Sequence, residues 1–85
     1  MTLAEQFQVA ATESKTLAEK PSNETLLELY ALFKQGSDGD IEAESPSNPF
    51  DFVAKAKYNA WAELKGMSKD AAMQQYIDLV ARLKG

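Results

Sequence analysis

Four stretches of the chain carry apolar residues at helical spacing, and none alternates as a strand does. The first is predicted to open at Thr2, which with Glu5 has capping-box spacing: each side chain satisfies the other residue's free backbone N–H. Its stripe is Leu3, Phe7, Ala10, Ala11, Leu17 and Ala18, and Pro21 is expected to end it. Ser22 or Asn23 can cap the second helix, with Glu24 in its first turn. Its apolar positions, Leu26, Leu27, Leu29, Tyr30, Leu32 and Phe33, are wider than one stripe, so the helix is expected to be covered on more than one side, by protein or by something else. Gly36 and Gly39 are expected to terminate it. A third helix is predicted from Phe52 to Lys65, capped by Asp51 and closed by Gly66, with rows Phe52, Ala56, Ala60 and Lys57, Trp61, Leu64. Ser68 caps a fourth, whose face is Met73, Tyr76, Ile77, Val80 and Leu83. Arg82 and Lys84 complement its dipole.

Between the second and third helices, Gly36 to Asp51 has no helical period and is rich in turn formers. About sixteen residues is long for a connection inside a compact domain, which hints at a role or at tethering. Ile41 and Phe50, its only large apolar groups, are expected to pin it to the core. The sum is an all-α fold, a small four-helix bundle of helices of about 14–17 residues, with a long loop between helices 2 and 3.

Composition narrows the chemistry. A chain of 85 residues is one domain, 1–85, with a small core. It has no cysteine and no histidine, which removes thiolate chemistry, disulfides and the commonest general base and metal ligand. Catalysis is therefore not expected, nor is a cofactor. Nine basic against thirteen acidic residues give a net charge of -4, against nucleic acid as a partner. No apolar run approaches a membrane span and no signal peptide is evident, so stable membrane insertion is not expected and a cytoplasmic location is. Asp38, Asp40, Glu42 and Glu44 cluster in the loop, but their spacing does not match a calcium loop, and no metal is expected.

The candidate chemistry lies on the second helix. Leu26, Tyr30 and Phe33 share one stripe, and Lys34 stands one turn above Tyr30. A phenol hydroxyl and an ammonium on a mainly apolar surface suit a ligand with an apolar body and a phosphate. On pattern alone, a core helix whose Lys34 snorkels is the commoner arrangement. Tyr30 alone reads as a half-buried core tyrosine, Lys57 as a solvated charge, and Trp61 and Tyr76 as core.

Two segments go further. Pro21 to Asp40, PSNETLLELYALFKQGSDGD, contains Tyr-x-x-aromatic-Lys-Gln followed by Gly-Asp; Lys55 to Ile77, KAKYNAWAELKGMSKDAAMQQYI, contains Lys-Ala-Lys, Ala-Trp and Glu-Leu-Lys-Gly. Both resemble the acyl-CoA-binding proteins, and the resemblance covers nearly the whole chain. It implies a four-helix bundle of up-down-down-up topology that binds long-chain fatty acyl-CoA, carries and buffers it as a monomer, and catalyses nothing. By the same resemblance, Tyr30, Lys34 and Lys57 contact the 3′-phosphate of the CoA ribose. Ala11, Lys15 and Tyr76 line the nucleotide and acyl groove, and Leu27 and Phe33 lie beside the acyl chain and phosphate.

Four positions depart from the family pattern. Phe33 stands where many members have tyrosine, Val53 where many have a phosphate-binding lysine, Tyr58 in place of a tryptophan, and Gly36 in place of a small hydroxyl residue or alanine. Losing one hydrogen bond to a charged group is worth about 1.5–3 kcal/mol, a tenfold or larger effect on phosphate affinity. Lys20 and Lys55 are candidates to compensate. The alternative is a helical protein-interaction module that has lost ligand binding.

Overall fold

The computed structural model describes residues 1–42 and 44–85; Ala43, part of the predicted long loop, lies outside the described residues. Among the described residues are four helices: α1 (Leu3–Ser14), α2 (Asn23–Asp38), α3 (Phe52–Ala62) and α4 (Lys69–Lys84). Each starts where a short polar side chain takes a free backbone N–H of the first turn. Thr2 accepts from the Glu5 N–H while Glu5 accepts from that of Thr2, completing the capping box. Ser22, Asp51 and Ser68 accept from the N–H groups of Thr25, Ala54 and Ala71.

The ends are set less locally. The first helix stops at Ser14, well short of Pro21. There the backbone tightens into i→i+3 bonds, Lys15 N to Thr12 O and Thr16 N to Glu13 O. The Ser14 and Thr16 hydroxyls donate back to the carbonyls of Ala11 and Glu13, competing with the helical ladder. Leu17 and Ala18 therefore do not extend the stripe. Gly36 does not terminate α2 either. It is buried inside the helix, and a Cβ there would lie 3.1 Å from Phe7 Cζ and 3.2 Å from Met73 Cγ. The stop is Gly39, whose φ of 84° is a conformation glycine adopts without strain. The third helix ends at Ala62 rather than Lys65, again in i→i+3 turns, from Leu64 N to Trp61 O and Lys65 N to Ala62 O.

Contacts fix the directions. Phe7 meets Tyr76, and Glu13 pairs with Lys84, so α1 and α4 run parallel. Gly36, late in α2, abuts Met73, early in α4, so these two are antiparallel. Lys57 lies over Tyr30 and Trp61 under Lys34, so α2 and α3 are parallel. The order is up-down-down-up, and the parallel α2–α3 step is what a long loop must span. The core is Phe7, Ala10, Leu29, Leu32, Tyr76, Leu79 and Val80. Phe7 stacks on Phe33 at 5.3 Å and meets Tyr76 edge-on at 5.2 Å. Ile41 is buried and anchors the loop, whereas Phe50 is 81% exposed and anchors nothing. Helix α3 packs chiefly on α2 and has no fully buried residue.

Candidate functional site

Because α2 and α3 run parallel, residues one turn apart on each helix come level with one another. Two lysine–aromatic pairs form across the seam in opposite senses. Lys57 of α3 places its Nζ 5.3 Å from the centroid of the Tyr30 ring on α2. Lys34 of α2 places its Nζ 5.1 Å from the centroid of the Trp61 ring on α3. Such contacts hold an ammonium at a defined place while leaving its outer side free to bind an anion. Lys34 is also engaged by its own helix. Its Nζ lies 2.6 Å from Asp38 Oδ2, four residues on, and that hydrogen bond holds the lysine pKa above the ordinary value.

Toward the N-termini of the same two helices, the seam opens into a cleft of about 390 Å³ lined by Asn23, Leu26, Leu27, Phe52, Val53, Ala56 and Lys57. Its walls are apolar except for Asn23 and Lys57. Val53, 65% exposed, and Phe52 form one lip. At Val53 the cleft therefore offers an aliphatic surface where the family pattern has a cation.

The structure brings together Leu27, Tyr30 and Lys57, which share this face, with Lys34 next along it. Phe33 points elsewhere, into the aromatic cluster with Phe7 and Tyr76. Tyr76 is buried, and its hydroxyl donates to Ser14 Oγ at 3.0 Å. Ala11 packs against the same core. Lys15, the C-cap of α1, is exposed and follows Ser14 directly. The eight residues thus form two groups: the α2–α3 face, and an aromatic floor with Lys15 at its edge.

Sequence reasoning missed the polar hub beneath this face. Gln35 is fully buried, 0% exposed. Its Nε2 donates to Asp40 Oδ1 at 2.8 Å and to Met67 O at 2.7 Å, and its Oε1 accepts from Trp61 Nε1 at 3.1 Å. The indole N–H also donates to Gly39 O at 3.0 Å, and Asp40 Oδ1 accepts the Gly66 N–H at 2.8 Å. This network joins the end of α2, the start of the loop and the α3–α4 turn. It fixes Trp61, and therefore the seat of Lys34. Trp61 is accordingly half-buried with a bonded N–H, not a plain core residue. The Gly66 N–H, followed by Gln35, holds the Asp40 pKa below the ordinary carboxylate value. The loop acids do not converge: Asp38 serves Lys34, Asp40 serves the hub, and no metal-binding group of acids occurs among the described residues.

A helical bundle with two aromatic-seated lysines beside an apolar cleft has the parts to hold an anionic amphiphile. Comparison with known proteins agrees. The family model for acyl CoA binding protein matches residues 4–80, and the chain belongs to this family. It is 51% identical over 83 residues to acyl-CoA-binding protein homolog 1 of Caenorhabditis elegans, covering 98% of this chain and 93% of that one. Its fold superposes on the crystal structure of Oryza sativa acyl-CoA-binding protein 2 with a TM-score of 0.91 at 38% identity, covering 96% and 90% of the two chains. Enoyl-CoA delta isomerase 2 of Rattus norvegicus is 44% identical over 77 residues, 91% of this chain but only 19% of that enzyme, so the likeness is to one part of it.

Proposed function

We propose that this chain, as one domain spanning residues 1–85, binds long-chain fatty acyl-CoA esters and carries them as a monomer in the cytoplasm without transforming them. The observation that carries this reading is the crossed pair of contacts, Lys57 on Tyr30 and Lys34 on Trp61, next to an apolar cleft. In this reading Lys57, Lys34 and the Tyr30 hydroxyl hold the 3′-phosphate of CoA. The two ammonium groups come from different helices and act on one phosphate as point charges. The phenol adds a directional donor. Leu27 and the other apolar residues of the cleft shield the acyl chain. Ala11, Lys15, Phe33 and Tyr76 complete the groove toward α1. In a chain of net charge -4 the positive field at these lysines is local.

Each shielded methylene is worth about 0.8 kcal/mol, so a chain of roughly sixteen carbons supplies more than ten kcal/mol gross, part of it offset by ordering. Long chains are thereby preferred. Phe33 and Val53 shift the balance further from phosphate contacts toward apolar ones. No helix among the described residues is long and apolar enough to cross a membrane.

Calorimetric titration with palmitoyl-CoA, with free CoA and palmitate as controls, tests the reading. Tight one-to-one binding of the ester, with both fragments much weaker, is the expected outcome. Absence of ester binding below the concentration at which the ligand self-associates would move the interaction-module alternative to first place.

A further inference from the structure

The α2–α3 seam has a second side. Behind it, along α2 and α3 with Gln75 of α4 at its edge, lies a groove of about 570 Å³, larger than the cleft on the lysine side. Its lining is apolar at Leu27, Ala31 and Leu32 of α2, Ala56 and Ala60 of α3 and Leu64 of the turn that follows, with Asn59 and Gln75 as polar neighbours. Glu24, Glu28 and Glu63 stand along its rim. All three are exposed, none makes an ion pair among the described residues, and no lysine or arginine lines the groove. The depression beyond Leu32 adds Asp78 and Arg82, which cancel in formal charge. Helix α3 is left without a partner on this side, because it packs chiefly on α2 and buries no residue fully.

We propose that this groove docks a basic amphipathic helix of a partner protein. The acidic rim selects the sign of the occupant, since a phosphate, an anionic lipid head group or a nucleic acid would meet three carboxylates. A cationic rim on the occupant would instead find three unpaired acceptors around an apolar floor. The floor selects the form. The α2 and α3 backbone along it is helical and spends its own hydrogen bonds internally, so an extended segment would leave its peptide groups unpaired, whereas a helix satisfies them internally. Glu24 to Leu32 on α2 spans about 12 Å at 1.5 Å per residue, slightly over two helical turns, which accommodates an i, i+3, i+4, i+7 set of apolar anchors. The half-buried alanines at 56 and 60 let the incoming helix approach closely. Leu27 and Ala56 line both the groove and the lysine-side cleft, so the two sites share a wall. The proposal does not rest on which ligand the lysine side takes.

The test is an NMR titration of the isotope-labelled protein with a synthetic peptide of about 14 residues, leucines at i, i+3, i+4, i+7 and lysines elsewhere, against a matched leucine–glutamate peptide. Shifts centred on Ala31, Ala60 and Leu64 with the basic peptide alone are expected. The triple variant Glu24→Gln, Glu28→Gln, Glu63→Gln should bind at least about tenfold more weakly. A second triple variant with the same charge change, Glu19→Gln, Glu42→Gln, Glu44→Gln, should stay within about twofold. Ala60→Leu, which fills the floor and leaves every charge in place, should also weaken binding. Equal loss in both triple variants, shifts centred on another face, binding of the acidic peptide, or the same shifts appearing with protein concentration or with palmitoyl-CoA alone would each overturn the proposal.

Discussion

The two sides of the α2–α3 seam are built from the same helices and share Leu27 and Ala56, yet they are opposite in chemistry. The front has the smaller cleft and presents Lys57 and Lys34 on aromatic rings. The back has the larger groove and presents Glu24, Glu28 and Glu63. Size alone would send an anionic amphiphile to the back, where carboxylates oppose it. The sign of the rim decides between the two, and that sign follows from helix phase. On α2, Tyr30 and Lys34 lie on one side of the line facing α3, and Glu24 and Glu28 on the other. A single helix thus supplies a cationic and an acidic face to two neighbouring hollows.

The largest effect is expected where the two sides have a common support. Gln35→Ala removes three hydrogen bonds from a fully buried site and leaves Trp61 held only by Gly39 O and Asp40 only by the Gly66 N–H. A loss of about 2–4 kcal/mol in denaturant stability is expected, with both faces disturbed together. Next comes the pair that separates the faces. Lys57→Ala should weaken palmitoyl-CoA binding about tenfold in calorimetry, while Glu63→Gln, on the rim of the back groove, should leave affinity unchanged or slightly improved. A smaller effect, of opposite sign, is expected at Asp38. Asp38→Asn releases Lys34 from its ion pair and should raise affinity for the ester by roughly threefold, since an exposed pair of this kind is worth under about 1 kcal/mol.

The smallest effect concerns pH. The folded-state pKa of Asp40 lies below its ordinary value, first through the Gly66 N–H and then through Gln35. Its contribution to stability is therefore present above the ordinary carboxylate pKa and disappears as pH falls through the folded-state value. Urea midpoints of the native protein and of Asp40→Asn should differ at neutral pH and converge in acid. A constant gap would show that Asp40 acts through packing rather than ionisation.

What was legible in the chain divides along the same lines. The helix starts were readable because a cap is a local event: Thr2, Ser22, Asp51 and Ser68 act within three residues of themselves. The stops were less so. Leu17 and Ala18 continued the look of α1, but the Ser14 and Thr16 hydroxyls had already turned the backbone. Gly36 looked like a stop and is a close contact, needed because Phe7 and Met73 press on it from two other helices. Phe50 was expected inside because it is large and apolar, yet nothing receives it. For the site, the stripe and spacing on α2 brought Tyr30 and Lys34 forward, and the family resemblance added Lys57. The partners of these lysines were harder to see. Asp38 was visible in principle as an i+4 acid after Lys34. Trp61 was not, because its position under Lys34 depends on α2 and α3 running parallel. The role of Gln35 was hidden for a similar reason, since a glutamine on a helix looks solvated until three separate segments close over it.

The measurement that bears most directly on the two-faced seam is a map of amide chemical-shift changes on adding one equivalent of palmitoyl-CoA. Changes concentrated at Tyr30, Val53, Lys57 and the neighbouring Lys34, with Ala60, Glu63 and Leu64 of the back groove little altered, are the expected result. Changes concentrated at Ala60, Glu63 and Leu64, with Tyr30 and Lys57 unmoved, would contradict it and assign the acyl-CoA to the acidic side.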